Sequence, residues 1–144
     1  WNGTYLPGSM ERQYDYTVPR IFEEEFIDPI PEDVKICVYK GEAHMLWLDY
    51  DRFTDHSQNF FDTQFRPIRF YKSKPPKQGA RVGFSEDMKI RLLQTAERMA
   101  RAVPLDSVRV DLFVVGGEIY AGEMTFSTDG GGVPMKLLPP DYPL

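Results

Sequence analysis

Residues 107–126 read SVRVDLFVVGGEIYAGEMTF. Val108, Val110, Leu112 and Val114 alternate with Arg109, Asp111 and Phe113, and a second β-rich run, Ile119 to Phe126, comes after Gly116-Gly117; this is the pattern of a hairpin. Each arm carries an acid in mid-strand, Asp111 and Glu123, where acids are disfavoured. Their relation depends on register, because a slip of one residue turns every side chain to the other face. A plain two-residue loop pairs Val115 with Glu118 and sends the two carboxylates to opposite faces. A three-residue loop with Gly117 left-handed and a bulge pairs Val114 with Glu118. In that register Asp111 lies diagonal to Glu123 on one face, with Arg109 directly opposite Glu123. On the residues alone, a cross-strand Arg109/Glu123 ion pair with Asp111 in solvent competes with a metal pair.

Upstream of this hairpin, Ser85 to Val103 predicts one long helix. Met88, Leu92, Ala96, Met99 and Val103 recur at helical spacing, and Leu93 and Ala100 widen the stripe. Ser85 is the expected cap, Glu86 and Asp87 suit the positive end, Arg98 and Arg101 the negative end, and Pro104 stops the run. Val34–Tyr39 and Ala43–Tyr50, flanking Lys40-Gly41-Glu42, predict a second hairpin. In it Lys35 is expected at an edge or facing solvent. Arg20 to Ile27, RIFEEEFI, alternates and is expected to be a strand with Glu23 and Glu25 on an acidic face, ended by Asp28-Pro29. Asp51 to Arg69 has no period and is expected to be an aromatic loop packed on the domain. His44 is expected to be a packed strand residue and His56 a surface one. The order of elements gives an α+β class, a mainly antiparallel sheet with one long helix against it.

The chain has 144 residues, 42% of them apolar, which suffices for one core. Scattered Lys and Arg, 17 against 22 acids, give a net charge of -5 and no nucleic-acid footprint. A lone cysteine, Cys37, excludes a disulfide framework and fits a reducing compartment. No apolar run approaches the ~20 residues that span a bilayer, so a cytoplasmic location is expected. The chain opens on Trp1 rather than Met, as a processed, engineered or partial chain does.

Three segments in order resemble the TupA-like ATP-grasp family, which is associated with teichuronopeptide and other cell-surface polysaccharide biosynthesis. They are Pro19 to Ile27, PRIFEEEFI; Asp33 to Arg52, DVKICVYKGEAHMLWLDYDR, continuing through Phe53-Thr54, His56 and Asn59 to Asp62; and Val108 to Phe126. The resemblance implies a ligase that uses ATP and Mg²⁺ to activate a carboxylate for attack by an amine or similar acceptor, on a glycan or glycan precursor. Asp111 and Glu123 match the family's metal-ligand positions, which favours the same-face register, and Thr125 falls where many ATP-grasp enzymes place a third ligand, Asn. Glu24, Glu25, Phe26 and Ile27 match the adenine-lining strand. As catalytic residues the resemblance offers Lys35, matching a basic residue expected to contact phosphate or substrate, and Arg52, matching an arginine expected to face phosphate or acceptor.

The family's glycine-rich loop and two phosphate-binding lysines precede the adenine strand, and this chain is expected to begin after them. It is therefore expected to be a single partial domain over 1–144, the C-terminal lobe, with a core over 18–128 and a loop-rich tail over 129–144. One wall of a cleft leaves phosphates in water, where charges interact weakly; weak nucleotide binding and self-association through an exposed strand edge are expected. The competing reading is a non-catalytic glycan- or partner-binding module presenting Phe53, Phe60, Phe61, Phe65 and Phe70.

Overall fold

A computed structural model of the protein describes residues 18, 20–28, 30–51, 53–72, 74–78, 82–128 and 132–143. Five antiparallel strands form one sheet in the order β3-β2-β1-β5-β6, where β1 is Asp33–Tyr39, β2 Glu42–Tyr50, β3 Ser57–Phe61, β5 Ser107–Val115 and β6 Glu118–Thr125. The single helix among the described residues, α1, spans Glu86–Arg101, and a small second sheet pairs β4, Phe70–Tyr71, with β7, Lys136–Leu137. The α+β class is as the sequence predicts.

Both hairpins close on two residues with positive φ, Lys40 (50°) and Gly41 (80°) in one, Gly116 (57°) and Gly117 (84°) in the other. That is the turn whose twist matches a right-handed ribbon. Each hairpin then carries one extra residue. In β1–β2 the pairing passes from Val38↔Ala43 to Cys37↔Met45 and skips His44. In β5–β6 it passes from Leu112↔Ala121 to Asp111↔Glu123 and skips Gly122. β2 and β6 therefore change face beyond the bulge. Leu46 and Leu48 turn to the helix side while Trp47 and Asp49 turn away from it. His44, expected to be packed, is exposed at its bulge.

The core lies between the sheet and α1. Val34, Ile36, Leu46, Leu48, Val110 and Leu112 meet Met88, Leu92, Ala96 and Ala100, all buried. The helix begins as the sequence predicts: Ser85 Oγ accepts from the Met88 N–H at 3.2 Å, meeting one of the four donors a helix start leaves unpaired. Glu97 Oε1 accepts from the Ala43 N–H at 3.1 Å and ties α1 to the first hairpin.

Three expectations fail here. Residues 20–27 form no strand: Ile21, Phe22 and Phe26 are largely exposed, and an alternating run without a neighbouring ladder has nowhere to place its backbone hydrogen bonds. Conversely, the expected loop over 51–69 contains β3. Its alternation is masked because Ser57 and Asn59 are themselves buried; Asn59 is satisfied there by exchanging hydrogen bonds with the Lys77 backbone at 2.8 and 2.9 Å. Phe60, Phe61 and Phe65 are buried, so the five phenylalanines form no exposed aromatic surface; of them Phe53 is the exposed one.

The expected tail is anchored. Besides β7, the Leu138 N–H donates to Arg69 O at 3.0 Å, Arg69 donates to Pro139 O and Tyr142 O, and Tyr142 Oη donates to Pro76 O at 3.0 Å.

Candidate functional site

The sheet face turned away from α1 carries the charged residues. One rung crosses all five strands: Phe60, Trp47, Lys35, Asp111 and Glu123 are successive partners from β3 to β6. The next rung on that face places Asp33 opposite Asp49 and Asp49 opposite Gln58. On the same face, two residues before Asp111, Arg109 lies opposite Thr125.

Lys35 is not at an edge. It sits in β1, the central strand, 8% exposed. Its ammonium contacts Asp33 and lies 3.2 Å from Asp111 Oδ2 and 3.5 Å from Asp49 Oδ2. Arg109 grips Asp111 with both arms of its fork, Nε to Oδ1 at 2.6 Å and Nη2 to Oδ2 at 2.8 Å, the geometry in which a guanidinium matches a carboxylate best. Asp49 also accepts from Gln58 Nε2 at 2.8 Å and has His56 Nε2 3.1 Å away. Trp47 lies under this network with Phe60 at 5.3 Å between ring centroids, and the Lys72 ammonium stands 4.3 Å from its ring centroid.

The registers offered by the turn chemistry are both incomplete. The turn is the plain two-residue one, Val115 opposite Glu118, yet Asp111 and Glu123 share a face because Gly122 is bulged out. They are direct partners rather than diagonal ones. Arg109 pairs with Thr125 and reaches Glu123 Oε2 at 3.9 Å. Glycine is required at the bulge for space: a Cβ at 122 would come within 2.6 Å of Phe113 Cε2 and 3.3 Å of the Asp111 carbonyl oxygen.

Burial and charge act in opposite senses on the two outer acids. Burial pushes the Asp33 carboxyl above its ordinary value of 3.8, and its pairing with Lys35 offsets only part of this. For Asp49 burial again pushes upward, but the hydrogen bond from Gln58, the adjacent His56 imidazole and the charge of Lys35 outweigh it and hold the group below 3.8. A depressed folded value means a stabilisation fully present above the unfolded value and lost as pH falls through the folded one. Asp49→Asn is therefore expected to cost about 1–3 kcal/mol at pH 7. Denaturant titrations at pH 7 and pH 3 should show that deficit shrinking in acid; an equal deficit at both would exclude the charged pairing as its source.

A cleft of about 620 Å³ opens on this face, lined by Glu24, Glu25, Phe26 and Ile27 together with Lys35, Asp111, Phe113, Tyr120 and Glu123. The extended segment before β1 and the metal-ligand pair named from sequence thus border one cavity. Thr125, buried, donates from Oγ1 to Glu123 Oε1 at 3.0 Å. Arg52 lies outside the described residues, as do residues 1–17. Sequence reasoning missed Asp33, Asp49, Gln58 and His56; the signal for the first was its position two residues from Lys35, on the same face of a strand.

The donor set fits a hard divalent cation of one kind. Asp33, Asp49, Asp111 and Glu123 outnumber Lys35 and Arg109 and leave two formal negative charges. A carboxylate offers about four lone-pair sites; Asp111 uses three, keeping one on Oδ1, and Glu123 Oε2 accepts no hydrogen bond within 3.5 Å among the described residues. Among the described residues no group of three or more His, Cys, Asp or Glu forms a protein-only cage. Two carboxylate oxygens with the remaining positions left to water and phosphate is how Mg²⁺ is usually held.

An antiparallel five-stranded sheet backed by one helix is compatible with a partial ATP-grasp lobe. The sequence matches the family described as TupA-like ATPgrasp over residues 2–136, and the chain belongs to that family. Comparison with curated proteins and with solved structures gave no match. Membership brings a ligase-type fold, and ATP and Mg²⁺ are the cofactors general to ATP-grasp proteins. Among the described residues no helix is long and apolar enough to cross a membrane.

Proposed function

We propose that this chain forms the metal-and-phosphate wall of an ATP-grasp ligase that activates a carboxylate for an amine or similar acceptor in cell-surface polysaccharide biosynthesis. The observation that carries the reading is the direct pairing of Asp111 with Glu123 beside the cleft bordered by residues 24–27. Family membership supports the ligase chemistry; the polysaccharide rests on the resemblance alone. Asp111 and Glu123 would hold a divalent cation, which when bound would supply charge neutralisation at phosphate oxygens. Thr125 fixes the Glu123 carboxylate through its hydroxyl. Phe26 and Ile27 offer apolar surface to a nucleobase, and the backbone of residues 24–27 offers hydrogen bonds to its edge. Arg52 keeps the phosphate- or acceptor-facing role the resemblance gives it.

Mn²⁺ or Mg²⁺ with a nonhydrolysable ATP analogue should raise the melting temperature, since a ligand selective for the folded state stabilises it. Glu123→Gln leaves an exposed position sterically unchanged and removes one charge-assisted contact, about 1.5–3 kcal/mol, or roughly 10- to 100-fold in affinity. Equal affinity for wild type and Glu123→Gln by calorimetry would remove the metal role from this pair.

A further inference from the structure

We infer that Lys35 is a positioning residue that aims Asp111 into the cleft, and not a phosphate ligand. The inference deepens the metal-nucleotide reading above and rests on it for the function of Asp111. An ammonium has three donors, and the Lys35 ammonium faces three carboxylates, Asp33 in contact, Asp111 at 3.2 Å and Asp49 at 3.5 Å. Its side chain is 10% exposed, on the central strand of the sheet. Reaching a phosphate would break three ammonium–carboxylate contacts at once, with side chains no more than 6% exposed on the acid side. Breaking a buried pair by removing one partner is strongly unfavourable.

The same geometry supplies the positioning. Lys35 is the cross-strand partner of Asp111, and Arg109 stands two residues from Asp111 on the same face of β5. The two cations hold Oδ2 from two directions and Oδ1 from one. The carboxylate is left with a single open acceptor site and no rotation that keeps all three contacts. Residues that orient a metal ligand in this way usually matter 10- to 100-fold for metal affinity.

Two measurements test this. Acetylation with an N-hydroxysuccinimide ester, read by mass spectrometry, should modify Lys40, Lys74 and Lys77 and leave Lys35 unmodified, with or without Mg²⁺ and the ATP analogue. Modification of Lys35 in the native chain, in either state, overturns the inference; protection appearing only with nucleotide would identify a phosphate ligand. The second is Mn²⁺ affinity of the double variant Asp33→Asn/Lys35→Met, which removes one charge of each sign and so leaves the local balance unchanged. A folded double variant, checked by circular dichroism, should bind Mn²⁺ roughly 10- to 100-fold more weakly, and Lys35→Arg should retain most of the affinity; unchanged affinity in the double variant overturns the positioning role. Wild type binding no Mn²⁺ removes the metal reading itself and the positioning role with it. The acetylation result still decides separately whether Lys35 is accessible to phosphate.

Discussion

Trp47→Ala is expected to lower stability by about 3–5 kcal/mol, the usual cost of truncating a buried tryptophan. In a domain of this size that corresponds to a fall of roughly 10 °C or more in melting temperature. The indole is 1% exposed and lies on the charged side of the sheet rather than in the core against α1. It is the direct neighbour of Lys35 across β1–β2, stacks obliquely on Phe60, and has the Arg109 guanidinium carbon 5.7 Å from its ring centroid. Its removal therefore does more than open a cavity. Water enters beside Lys35 and Asp49, and the low local dielectric that strengthens their pairing is lost. Trp47→Phe keeps an aromatic floor and should cost less than half as much. Denaturant titration decides the matter: a change in midpoint with unchanged slope reports stability, and a loss below about 1 kcal/mol would mean the ring is not packed as described.

Gly122→Val is expected to cost about 1–3 kcal/mol, the range for forcing extra atoms into filled space, and to abolish the cation-dependent rise in melting temperature. The first carbon of any side chain at 122 meets the Phe113 ring at 2.6 Å. The ring can yield, but the Asp111 carbonyl oxygen at 3.3 Å belongs to the backbone that forms the site. Relief comes from ironing out the bulge, and in a regular ladder residue 122 faces Asp111 while Glu123 turns toward the helix. Deleting Gly122 is the informative control. Without the extra residue, Leu112 still pairs with Ala121 and Asp111 still meets Glu123, now in a continuous ladder. The deletion should retain cation binding that the valine substitution loses; loss in both would show that the bulge shapes the site beyond setting which side Glu123 occupies.

The parts of this fold legible in the sequence are those with local causes. Gly116-Gly117 and Lys40-Gly41 announce hairpins because few residue pairs accept two positive φ angles in succession. Ser85, the apolar stripe and Pro104 bound the helix to within two residues of where it lies. The illegible parts depend on partners distant in sequence. A bulge is invisible until the facing strand is known, so turn chemistry brings Asp111 and Glu123 to one face only through a three-residue loop that the chain does not form. Strand β3 hides behind Ser57 and Asn59, whose burial is made tolerable for Asn59 by the Lys77 backbone, 18 residues away. Lys35 reads as an exposed base because Asp49 and Asp111, which justify its burial, come from two other strands. Residues 20–27 have strand composition without pairing, and 24–27 of them border the cleft.

The matched irregularities at His44 and Gly122 bear on how this chain tolerates change in length. Both lie in the strands flanking the regular β1–β5 pair, between a fixed turn and the residues on the charged face of the sheet. One residue added to β2 between positions 45 and 49, or to β6 between 118 and 121, reverses parity for the remainder of that strand and drives Asp49 or Glu123 into the greasy interior beneath the helix. Two residues added at the same place restore it. Substitution along these arms is graded in its effect, whereas indels there act by odd and even.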